Sequence, residues 1–166
     1  MSVPAELEKL VGDWQGTNLL WLSEQPMESE TTAAVKSAAG GTCLCVEYVW
    51  KYEGEPQEGI LLLGSQGEGM MQAIWRDSFH SGGAFTISDG KAEGLGAVQV
   101  LAHYSAPPGP DWGWRTHLRT DGENRFEIAM VNISPDGEET PAVRMEYRRK
   151  EASASDSVSN AVISAP

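Results

Sequence analysis

Across residues 42–52 the chain alternates. Leu44, Val46, Tyr48 and Trp50 fall on one parity, and Cys45, Glu47, Val49 and Lys51 on the other. A period of two marks a strand with one face buried and the other solvated. Residues 70–77 repeat the pattern, with Met71, Ala73, Trp75 and Asp77 on one face. Further strands are expected at 13–22, at the Thr-rich 29–37, at 59–65 around Ile60-Leu61-Leu62-Leu63, and briefly at 84–88. The glycine-interrupted 91–104, then 112–120, 124–133 and 141–150 complete the set. Glycine and proline punctuate them: Gly40-Gly41, Gly54-Glu55-Pro56, Gly67 to Gly69, Asp89-Gly90, Pro107-Pro108-Gly109-Pro110, Asp121-Gly122 and Pro135-Asp136-Gly137. The Asp-Gly pairs read as hairpin turns, because both residues tolerate positive φ.

A helical period occurs only at 4–11. There Leu7, Leu10 and Val11 share a side, Pro4 occupies an early position where its missing N–H costs little, and Gly12 stops the turn. Without longer helices, βαβ architectures are excluded. The spacing predicts an all-β fold, a closed antiparallel up-and-down barrel of about ten strands with a short N-terminal helix. The barrel domain is expected over 1–150, followed by a flexible Ser- and Ala-rich tail over 151–166.

Composition narrows the partners. The 166 residues carry 12 Lys and Arg against 24 Asp and Glu, a net charge of −12 that repels phosphate backbones and anionic lipid. Neither nucleic acid nor membrane is therefore expected as a partner. No apolar run approaches the roughly 20 residues of a membrane-spanning helix, and no basic-then-apolar leader opens the sequence. Cys43 and Cys45 lie two apart on one strand face, a poor disulfide geometry, so free thiols and a cytoplasmic setting are expected. No second pair or nearby histidine completes a metal site with them.

Gly12-Asp13-Trp14-Gln15-Gly16, then Gly40-Gly41, Gly54-Glu55-Pro56, Glu58-Gly59, Trp75-Arg76-Asp77-Ser78 and Met145-Glu146-Tyr147-Arg148-Arg149, succeed one another in order. This series, covering roughly 7–149, resembles a bacterial lipocalin-like, calycin-type family of domains of unknown function with an N-terminal Gly-x-Trp motif. The resemblance implies a barrel with an internal cavity and brings no established reaction. It also implies that an arginine of the last strand stacks on the first-strand tryptophan. Val143, Met145, Tyr147 and Arg149 share the apolar parity of that strand, so Arg149 is the expected partner of Trp14 in closing the barrel. One branch of these barrels holds haem through a histidine of the closing strands, and residues 144–149 contain none.

Alternation points Asn18, Leu20, Tyr48, Trp50, Leu62, Met71, Trp75, Val98, Val100, Trp114, Ile128, Met130, Met145 and Tyr147 inward. An aromatic and thioether lining with a few polar tips suits a small, largely apolar ligand held by one or two hydrogen bonds. The ligand-binding candidates are Asn18, Leu20, Tyr48, Trp50, Trp75, Asp77, Trp114, Met130 and Tyr147. A side-chain-filled core that binds nothing is the alternative.

Asp77 either caps the turn at Ser78, pairs with Arg115 or Arg144, or sits unpaired with a raised pKa as an acid or base. In the last case an isomerase- or dehydratase-type enzyme would use Asp77 or a histidine, with Tyr48 or Arg115 orienting substrate. Of the histidines His80, His103 and His117, His80 falls in a loop and His117 on the outward parity. No Gly-x-Ser-x-Gly elbow or phosphate loop is present. No cofactor is implied. A third reading is a module that dimerises through outward Leu19, Trp21 and Val49.

Overall fold

The computed structural model describes residues 2–80 and 82–151. Among the described residues, ten strands succeed a short helix, α1 (Ala5–Glu8): β1 (Gly12–Leu20), β2 (Met27–Ala38), β3 (Cys43–Tyr52), β4 (Glu55–Gly67), β5 (Met70–Asp77), β6 (Thr86–Ala92), β7 (Ala97–Tyr104), β8 (Trp112–Thr120), β9 (Arg125–Ile133) and β10 (Glu139–Arg149). Each strand pairs antiparallel with the next, and β10 returns to β1, so the sheet closes on itself. Closure leaves no strand edge exposed, which is the reason an up-and-down sheet of this size wraps. From residue 152 on, the segment read as a tail lies outside the described residues. No helix among the described residues is long and apolar enough to cross a membrane.

The inward parity carries one continuous core from Trp14 and Leu20 round to Met145 and Tyr147. Alternation fixes which side chains enter it, because a slip of one residue would turn the whole apolar set outward. Three details depart from the sequence pattern.

In β4 the buried residues are Leu61 and Leu63, and Leu62 faces out. A run of four apolar residues carries no alternation of its own, so its phase is set by pairing, here Leu61 with Val46 and Trp75. The turn before it lies at Glu53 and Gly54, both at positive φ, and Glu55 and Pro56 already belong to the strand.

Asp89-Gly90 does not turn. It lies inside β6, where Gly90 faces Val100 and a Cβ would overlap the Gln99 carbonyl oxygen. Glycine there serves a close backbone approach instead of a hairpin. The chain reverses later, at residues 93–96, with Gly94 at φ +80°. The β6–β7 seam is short, Asp89–Ala92 against Val98–Leu101.

Pro141 sits within β10 beside a register shift, and Ala142 and Val143 are both buried there. Proline cannot donate to the ladder, and a bulge is where a strand tolerates it.

The two rims differ. At the first, α1 and the turn after it cover the barrel: Leu7 and Leu10 are fully buried, and Trp14 Nε1 donates to the Leu10 carbonyl at 2.8 Å. Phe126 meets Trp14 edge-on at 4.7 Å and stacks on Tyr147 at 4.6 Å. Arg149 lies over the Trp14 ring, 4.3 Å from its centroid. Its guanidinium also donates to the carbonyls of Lys9, Val11 and Glu123 at 2.7–3.0 Å. This rim is thus filled by side chains and stitched by one arginine.

Candidate functional site

The second rim gathers aromatic side chains from three strands and one connection. Trp50 on β3, Trp75 on β5 and Trp114 on β8 each lie two residues from the end of their strand at this rim. Each is buried because its parity is inward. Trp75 and Trp114 stack at 5.2 Å with an interplanar angle of 11°. Into this group the connection after β5 inserts Phe79 and His80. The His80 ring lies 6.0 Å from Trp50, 5.9 Å from Trp75 and 5.8 Å from Trp114. Phe79 packs on Trp50 at 5.3 Å and on Tyr52 at 4.8 Å.

Asp77 organises the group. Its Oδ1 accepts the backbone N–H of Phe79 at 2.7 Å and of His80 at 2.8 Å, and contacts His80 Nδ1 at 3.1 Å. Its Oδ2 accepts Tyr48 Oη–H at 3.1 Å and Trp50 Nε1–H at 3.3 Å. Trp75 Nε1 in turn donates to Tyr48 Oη at 2.7 Å. Burial alone would raise the Asp77 pKa. The hydrogen bonds and charge of His80, with the Phe79 N–H, outweigh burial and hold it below the ordinary carboxylate value. Tyr48 moves the other way: its phenol is pushed well above the ordinary value by burial and by the neighbouring Asp77 charge. Asp77 is therefore an anion and Tyr48 a neutral donor across ordinary pH.

Gly59 makes this arrangement possible. It faces Asp77 across the β4–β5 ladder, and a Cβ there would overlap the Tyr48 ring. We expect Gly59→Ala to cost about 1–3 kcal/mol by overpacking and to break the Tyr48–Asp77 hydrogen bond. Urea unfolding, with near-ultraviolet circular dichroism for the tryptophan cluster, measures both.

Among the described residues, two polar atoms inside the barrel are buried without a hydrogen-bond partner: Trp114 Nε1 and Asn18 Oδ1. Trp114 belongs to the aromatic group. Asn18 lies on β1, two residues from the same rim and only 1% exposed, with a long 3.5 Å contact from its amide nitrogen to Ser29 Oγ. An orphaned buried donor or acceptor costs about 1–3 kcal/mol.

The structure brings Tyr48, Trp50, Trp75, Asp77 and Trp114 together. Asn18, Leu20 and Met130 line the interior on β1 and β9, and Tyr147 lies toward the opposite rim, hydrogen-bonding Thr31 at 3.0 Å. Neither Arg115 nor Arg144 pairs with Asp77; they engage Glu139 and Glu127 on the outer wall. His117 approaches Glu93 at 3.3 Å outside, and His103 is exposed. Cys43 and Cys45 are free and half-buried. Of the outward apolar trio, Val49 is exposed and Leu19 and Trp21 are half-buried.

Phe79 and Tyr52 were not among the candidates drawn from the sequence, and His80 stood there only as one of three histidines for the enzyme reading, placed in a loop. A loop has no hydrophobic period to flag it. The available signal was Asp77 itself, since an aspartate ending a strand binds the N–H groups two and three residues on and fixes the path of the loop. Two broad clefts lie on the outer wall. One of about 1140 Å³ runs along Gln15, Thr17, Glu30, Arg125, Glu146 and Arg148. The other, of about 710 Å³, includes Ala34, Glu47, Ile60 and Arg76.

Among solved structures the chain is similar to Rv2717c from M. tuberculosis, at 14% identity and a TM-score of 0.63, covering 91% of this chain and 100% of that one. A redesigned β-barrel aligns at 15% identity over 91% of this chain and 100% of its own, with a TM-score of 0.49. No curated protein matches the chain. Residues 4–149 match the family described as protein of unknown function DUF1579, which takes in α1 and all ten strands, and the chain belongs to that family.

Proposed function

We propose that the protein binds a small, largely apolar molecule inside the barrel, at the rim that holds the tryptophans. The single observation that carries this reading is the pair of orphaned polar atoms, Trp114 Nε1 and Asn18 Oδ1, within a largely apolar lining. A ligand with one acceptor and one donor would satisfy both, and stacking on indole supplies most of its contact area. Because His80 and Phe79 occupy the tryptophan group, uptake requires these two side chains to shift. The lipocalin-like kinship belongs to the same proposal and is supported by the Gly12-Asp13-Trp14 start and the Arg149 stack. A cytoplasmic setting is supported by the two unbridged cysteines.

The test is native mass spectrometry of the protein as purified, followed by calorimetric titration with apolar probes of differing charge. Asn18→Leu and Trp114→Phe are each expected to weaken a hydrogen-bonding probe by about 3- to 10-fold. Silence across neutral, cationic and anionic probes overturns the proposal.

The His80–Asp77 contact favours a second reading, an isomerase- or dehydratase-type enzyme. A carboxylate on Nδ1 orients the ring and leaves Nε2 to exchange a proton with a bound molecule. With its low pKa and several hydrogen bonds, Asp77 itself fits an orienting role. Under this reading His80→Gln abolishes turnover while binding persists; retained turnover removes it.

A further inference from the structure

The rim site has a sign. Among the described residues Asp77 is the only buried charged side chain, and no lysine or arginine is buried. On β8 and β10, Arg115, Arg119 and Arg144 pair with carboxylates on the outer wall. Arg149 serves the opposite rim. An anionic ligand at the tryptophans would therefore meet the Asp77 carboxylate in a site where water is scarce.

The walls favour the opposite charge. Indole faces attract cations within about 6 Å of the ring centroid, and several aromatic rings beside a carboxylate form the cage that recognises organic ammonium groups. Here Trp50, Trp75 and Trp114 surround one position at 5.8–6.0 Å, with Phe79 at 4.8 Å. The occupant of that position is His80, a side chain able to carry positive charge, held by Asp77 at 3.1 Å. The chain thus fills the cage with its own nitrogen ring.

We infer that the tryptophan cage beside Asp77 takes an apolar organic amine or ammonium, which displaces the His80 ring, and discriminates against carboxylates. This rests on the small-molecule reading above and adds the charge class of the ligand.

Three matched probes test it by calorimetry at pH 8: 2-naphthylmethylamine, 2-naphthylmethanol and 2-naphthoate. The amine is expected to bind about tenfold or more tighter than the naphthoate, with the alcohol between them. Asp77→Asn should shrink that ratio to about threefold or less. Since this variant also loses a buried anchor, His80→Ala provides the second arm. It keeps the carboxylate, vacates the cage, and should tighten the amine while leaving the naphthoate weak. Naphthoate binding as tight as the amine overturns the charge assignment and leaves the small-molecule reading standing. An unchanged amine preference in folded Asp77→Asn, or no gain for the amine in His80→Ala, also overturns it. If none of the three probes binds, both readings fall.

Discussion

Trp14→Ala is expected to lose about 3–5 kcal/mol of stability, the range for deleting a buried tryptophan. The side chain is fully buried, donates to the Leu10 carbonyl, and meets Phe126 on one side and Arg149 on another. Its removal opens a hole at the rim where α1, β1 and β10 converge, and no neighbour can collapse into it without dragging a strand. With total stabilities of about 5–15 kcal/mol for domains of this kind, much of the protein's margin would go. At about 2–4 °C per kcal/mol for this size, the melting temperature should fall by roughly 10 °C. Arg149→Lys separates the arginine's part. It keeps the charge but loses the planar fork that reaches Lys9, Val11 and Glu123 together, and should cost about 1–2 kcal/mol. Equal losses in the two variants would show that the arginine, not the tryptophan, holds this rim. Trp21→Ala, half-buried on the outside, should stay within about 1 kcal/mol.

Asp77→Ala is the second large effect, also about 3–5 kcal/mol. It strips the acceptor from Tyr48, Trp50 and the N–H groups of Phe79 and His80 at once. Unlike the loss at Trp14, this one depends on pH. The folded-state pKa of Asp77 lies below its unfolded value of about 3.9. The carboxylate therefore stabilises the fold above that unfolded value, and the contribution fades as pH falls through the folded-state pKa. Urea unfolding from pH 7 down to pH 3 should show wild type and Asp77→Asn converging as acid is added. A gap that stays constant or widens toward pH 3 would contradict the assignment.

The barrel and its inward set were legible because alternation is a direct projection of the pleat. Val46, Tyr48 and Trp50, or Met71 and Trp75, declare their side with every second residue. Where the pattern is uniform, as at Ile60 to Leu63, or where glycine has two uses, as at Gly90, pairing partners decide, and these lie 15 residues apart for Leu61 and Val46. The site was legible in its strand residues alone. Trp50, Trp75 and Trp114 could be placed inside, but their convergence depends on how strands three, five and eight come round the ring. His80 owes its position to an aspartate's hydrogen bonds, which leave no periodic trace. Of the readings for Asp77, the turn cap holds, through the N–H groups of Phe79 and His80, while a phenol, an indole and the His80 ring stand where an arginine was the alternative.

The arginine that stitches the first rim joins residues 138 and 140 positions apart. During synthesis, β1 has only β2 beside it until β10 emerges from the ribosome, so the nascent sheet carries two raw margins for most of its translation. Such a topology folds late and comparatively slowly. Productive maturation thus hinges on β10 arriving before another polypeptide docks on either margin.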